Sequence, residues 1–134
     1  MCIRDRISIG DELILFSKDR KDLMTELYTL PKTPGSYEIE PIYSYQVNSL
    51  ITGADYNEEL KLVVLVGYDS NWNQYFYKID NFDLSNLDQS RIEKFKIPVG
   101  KAQIEAVKII DESSFWITSE DEGNGFPRLF KFKI

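Results

Sequence analysis

Apolar positions along the chain fall into short, widely spaced runs. The strongest are ELILFS (Glu12–Ser17), KLVVLVGY (residues 61–68) and SFWITSE (residues 114–120), each bounded by turn-forming residues. Their β-branched and aromatic content and their length of six to eight residues predict β-strands. Setting Leu13, Val63 and Phe115 in register places successive runs 50 and 52 residues apart, a repeat period typical of a β-propeller blade.

The flanking segments keep one order. Each apolar run is followed by a loop and an alternating strand: TELYTL (25–30), QYFYKI (74–79) and RLFKFKI (128–134). In the last, Phe130, Phe132 and Ile134 share one face while Lys131 and Lys133 share the other, the period of two that a strand imposes. A more polar strand follows twice, YEIEPIYSY (37–45) and RIEKFKI (91–97). A further strand precedes each run across a tight turn: ISI (7–9), ITGADY (51–56) and IEAVKII (104–110). NFDLSNLDQS (81–90) reads as a surface loop with room for one helical turn. The expected fold is therefore all-β: a partial β-propeller of about three four-stranded antiparallel blades. The blades span roughly residues 7–47, 48–99 and 100–134, the last lacking its outer strand. An apolar second strand fits a blade covered on both faces by its neighbours, and a polar fourth strand fits an outer edge in water. A small β-sandwich is the competing all-β arrangement.

The opening MCIRDR has a different character. It reads as the translation of a transposase adapter used in sequencing libraries, so residues 1–6 are expected to be an artefact, with Ile7 the point where the sequence enters a longer gene and the natural start upstream. The net charge is −6, and setting aside Arg4, Asp5 and Arg6 makes it −7, which argues against a nucleic-acid partner. Cys2 is the sole cysteine and histidine is absent, so neither a Ser-His-Asp triad nor an imidazole zinc site can be assembled. No apolar run approaches the roughly 20 residues of a membrane helix.

GDELILFSKD, LYTLPKTPGSYE, ITGADYNEELKLVVLVGY and QIEAVKIIDESSFWITSE with LFKF, taken in that order, resemble a family of β-propeller proteins from Bacteroidota. Those proteins are usually exported and often carry a secretion tail. The resemblance spans nearly all of residues 7–134. It implies a propeller fold and export to the periplasm, cell surface or medium, without an established activity. One departure lies at Glu105-Ala106, where the family pattern has Glu-Gly.

In such a fold the start of each inner strand and the loop after each second strand meet at one end, whatever their separation in sequence. The candidate ligand face then comprises Thr52, Tyr68, Asp69, Trp72, Glu105, Glu120 and Asp121, with Ser17, Lys18 and Asp19 as the first unit's counterparts. Oxygen ligands without histidine or cysteine would suit calcium, and Glu105 and Glu120 are the candidate metal ligands. Without a metal, clustered carboxylates raise one another's pKa, as in acid–base pairs. The plainer reading makes SEDEG (119–123) a solvated acidic loop and Glu105 a structural residue. Trp72, among polar neighbours in DSNWNQ (69–74), could stack on a sugar ring or anchor a partner, or pack on its own loop. Trp116, inside an apolar run, is expected in the core. The functional expectation is a non-catalytic binding module for a glycan, small molecule or protein. The alternative is a calcium-assisted hydrolase of the lactonase or phytase kind.

Overall fold

The computed structural model describes residues 2–100, 102–120 and 126–134. Its strands form three antiparallel sheets, each a simple meander of consecutive strands. Strands β1 (Ile3–Ile9), β2 (Glu12–Ser17), β3 (Met24–Pro31) and β4 (Tyr43–Gln46) make the first. The second contains β5 (Leu50–Asn57), β6 (Leu62–Tyr68), β7 (Gln74–Asp80) and β8 (Arg91–Ile97). The third contains β9 (Ile104–Ile109), β10 (Ser114–Ser119) and β11 (Arg128–Lys133).

Two strands differ from their sequence expectation. β1 begins at Ile3, so part of MCIRDR lies in the ladder opposite Leu15, Phe16 and Ser17. β4 is confined to Tyr43–Gln46, because Pro41 has no N–H to donate and interrupts the polar run. In the 81–90 connector, a single 3-10 turn spans Leu87–Gln89.

The three sheets share an irregularity that fixes their equivalence. Pairing runs from Ile3↔Ser17 to Asp5↔Phe16, from Ile51↔Gly67 to Gly53↔Val66, and from Ile104↔Ser119 to Ala106↔Thr118. Arg4, Thr52 and Glu105 are thus the extra residues of three matching β-bulges, devices that bend a strand and re-aim a side chain. Counting back from the bulges, Leu13, Val63 and Phe115 occupy the same rung, opposite Leu30, Ile79 and Phe132.

The first strands of the sheets lie side by side, β1 against β5 and β5 against β9. Their exposed edges are tied by carboxylates: Asp5 Oδ2 accepts the Ala54 N–H at 2.6 Å, and Asp55 Oδ2 accepts the Ile109 N–H at 2.8 Å. Edge amides that no neighbouring strand can satisfy are thereby paired.

Two separate cores follow. Ile14, Phe16 and Leu27 of the first sheet meet Val63, Leu65, Tyr77 and Ile79 of the second. Val64, Val66 and Phe76 on the opposite face of that second sheet meet Ile104, Phe115 and Ile117 of the third. Every residue of β6 is buried, as its unbroken apolar sequence requires when both faces are covered. Each fully buried Val or Leu there contributes about 1.5–3 kcal/mol.

Trp116 corrects a sequence expectation. It occupies the rung of Ile14 and Val64, both fully buried against the following sheet, yet it is 43% exposed. Leu129, equivalent to buried Leu27 and Phe76, is 66% exposed. The period-two pattern assigns both residues to one face of the third sheet, and among the described residues no sheet covers that face.

Candidate functional site

The bulges lie at one end of the sheets, and the candidate residues collect there. Thr52, at the bulge of β5, is buried, and its hydroxyl donates to the Ile104 carbonyl at 2.6 Å, tying the second sheet to the third. One residue beyond each second strand's bulge rung come the equivalent positions Lys18, Tyr68 and Glu120.

Lys18 is only 4% exposed. Its Nζ donates to the Tyr68 hydroxyl at 3.1 Å and lies 5.0 Å from the centre of the same ring, so the buried ammonium is held by both a hydrogen bond and a π face. Tyr68 in turn stacks on Trp72, with ring centres 5.1 Å apart and planes within 8°.

Asp69 organises the loop that carries Trp72. Its Oδ1 accepts the N–H groups of Asn71 and Asn73 at 2.9 and 3.0 Å, and its Oδ2 accepts the Asn73 amide at 3.0 Å and the Tyr75 hydroxyl at 3.2 Å. Burial pushes this carboxyl upward, but those donors together outweigh it and hold its pKa below the usual range. Asp69 is accordingly the keystone of a loop that closes on itself through Asp69 N–H to Asn73 O.

Glu105 sits at the β9 bulge with its side chain 24% exposed. Its Oε2 lies 4.0 Å from Arg4 Nη2, while Oε1 is buried with no hydrogen-bond partner among the described residues. Burial raises its pKa first and the charge of Glu120 second, against the opposing influence of Arg4, Lys18 and the Gln103 side chain. The carboxyl therefore holds its proton to a higher pH than a free glutamate does.

Glu120 is exposed, and its N–H donates to the Gln103 carbonyl at 2.9 Å. Asp121 lies outside the described residues. Among the described residues no group of three or more Asp, Glu, His or Cys side chains could hold a metal ion, so Glu105 and Glu120 stand as a pair. Calcium takes six to eight oxygens. No helix among the described residues is long and apolar enough to cross a membrane.

Two further residues complete the site. Ser119 places a buried Oγ, without a partner among the described residues, beside the Glu105 bulge. Gln74 is fully buried: its Oε1 accepts the Ile104 N–H at 3.1 Å, and its Nε2 donates to the carbonyls of Trp72 and Ala102. It thereby locks the Trp72 loop to the segment entering β9. The repeat register names Lys18 as the first unit's counterpart of Tyr68 and Glu120, and Ser119, which ends β10, could have been singled out from the same register. Gln74 offers no such signal, because its burial depends on a segment 28 residues away.

This end of the molecule therefore presents an ammonium, a phenol, a carboxyl of raised pKa and an aromatic pair, contributed by all three sheets. No protein-family model, curated protein or solved structure matches the chain.

Proposed function

We propose that residues 7–134 are three neighbouring blades of a β-propeller from an exported bacterial protein, acting as a non-catalytic binding module. The ligand face is the end where the bulges lie. The matching bulges of the second and third sheets, the side-by-side first strands and the exposed Trp116 and Leu129 of the third sheet support the propeller reading. In a ring, Trp116 and Leu129 would face a further blade, as Ile14, Val64, Leu27 and Phe76 face theirs.

The observation that carries the binding reading is the junction where Lys18 meets Tyr68 between the first two sheets, with Glu105 of the third sheet close enough to feel the Lys18 charge. Buried polar groups are costly to keep dry without partners, and a partly satisfied cluster at an accessible end is a natural place for a polar ligand. Glu105 and Glu120 alone give the calcium-assisted hydrolase less support.

The test is a thermal-shift screen of the purified chain against neutral oligosaccharides, sugar acids and short peptides. At least one compound should raise the melting temperature, and Lys18→Met should abolish that shift. Shifts that all survive Lys18→Met would refute the junction as the site. Calcium-dependent hydrolysis of a lactone or phosphoester, lost in Glu105→Ala, would establish the enzyme instead.

A further inference from the structure

Trp72 has φ of 64°, the left-handed region that bulky side chains rarely occupy. A strained backbone persists only where its surroundings over-determine it, and such residues cluster at binding sites. The surroundings here are the Asp69 hydrogen bonds to Asn71 and Asn73, the Trp72 N–H to Asp69 O at 3.1 Å, and Gln74 gripping the Trp72 carbonyl at 3.1 Å. Together they hold the indole flat on Tyr68 while leaving it 48% exposed. A ring so exposed recovers little burial for the strain, so its placement has no evident return within the fold.

The indole borders a groove of about 660 Å³ lined also by Asn71, Asn73, Lys96, Ile97 and Pro98. We propose that this groove binds a pyranose ring of a glycan, with the sugar's C–H face on Trp72 and its hydroxyls towards the Asn71 amide and the Lys96 ammonium. A pyranose has one apolar face ringed by hydroxyls, and a half-exposed indole ringed by amide and ammonium donors is its complement. Tyr68 backs the indole, and Asp69 holds the loop in advance, so little side-chain ordering remains for the ligand to impose. The groove adjoins the Lys18 junction through Tyr68 but is not lined by Lys18, and it goes beyond the reading that rests on that junction.

The chain has two tryptophans, so Trp116→Phe, at an exposed position, leaves Trp72 as the sole indole reporter. Titration of that variant with cellohexaose, chitohexaose and hexagalacturonate should give a saturable change in emission with at least one of them. Calorimetry on the otherwise wild-type chain should show affinity for the same sugar falling at least about tenfold in Trp72→Ala and in Asn71→Ala. Leu129→Ala, at an exposed position of the third sheet outside both the groove and the junction, should leave it intact. No saturable change with any of the three sugars overturns the proposal. So does binding unaltered by Trp72→Ala, or a response confined to a proline-rich peptide, the other ligand that docks on aromatic grooves.

Discussion

Lys18 donates to the Tyr68 hydroxyl at 3.1 Å, and the two residues occupy the same position in successive sheets, one residue past the bulge rung. The contact therefore joins neighbouring repeats through equivalent side chains. Tyr68→Phe removes the acceptor and leaves a buried ammonium with only the ring face. We expect a loss of about 1–3 kcal/mol in urea unfolding. Lys18→Met should cost less, because it removes the charge along with its partner's role. A larger loss in Lys18→Met than in Tyr68→Phe would show that the lysine acts mainly through other contacts.

Glu105 predicts a pH-dependent stability with a definite sign. Its folded pKa is raised above 4.5, so the ionised form is disfavoured on folding, and its contribution is fully present below that value and lost as pH rises through the folded pKa. Glu105→Gln should therefore melt higher than the wild type at pH 8, with the gap closing at pH 4. Asp69 works oppositely: its lowered pKa gives stability present above 3.8 and lost as pH falls through the folded value. A Glu105→Gln advantage equal at both pH values would trace to packing instead of ionisation.

Gly67 stands in the rung held by Ser17 and Ser119 in the other sheets, yet it alone has no room for a side chain. A Cβ there would sit 2.4 Å from the Leu50 carbonyl oxygen and 3.2 Å from the Ile51 Cα, both backbone atoms of the paired strand. Gly67→Ala should destabilise by roughly 1–3 kcal/mol or prevent folding, since backbone in a ladder cannot step aside as a side chain can. Circular dichroism melting of the variant checks this, and an unchanged midpoint would contradict the close approach of β5 to β6.

Val64 and Trp116 share a rung but not an environment, one fully buried and the other 43% exposed. In the 134-residue chain, Val64→Ala should cost about 2 kcal/mol and Trp116→Ala less than about 1 kcal/mol, although the tryptophan is the larger residue. Chemical denaturation of the two variants decides the ranking. If Trp116→Ala proves the costlier, its face is covered in solution, and light scattering would then show self-association through it.

Much of the architecture was legible in the residues. Period-two alternation in RLFKFKI, the unbroken run LVVLVG in β6 and the recurrence of both at about 50-residue spacing are local properties of the chain. A strand's two faces and its partners across tight turns follow from them directly. The register of Leu13, Val63 and Phe115 held because each repeat carries its bulge at the same distance along the strand.

Tertiary structure decided what touches those faces. Ile14, Val64 and Trp116 have the same place in the pattern, and only the presence of a following sheet separates two core residues from an exposed one. The bulges are equally hidden, since nothing in Arg4, Thr52 or Glu105 as residue types announces an extra residue in a ladder. Lys18 reads as a counterpart position on the candidate face, but its burial emerges only when Tyr68, 50 residues on, is folded against it. Alternation is written into a strand by its own backbone, whereas burial and polar pairing arise between segments far apart in sequence, which is why the strands and the end where their loops gather could be read from the chain and the contacts made there could not.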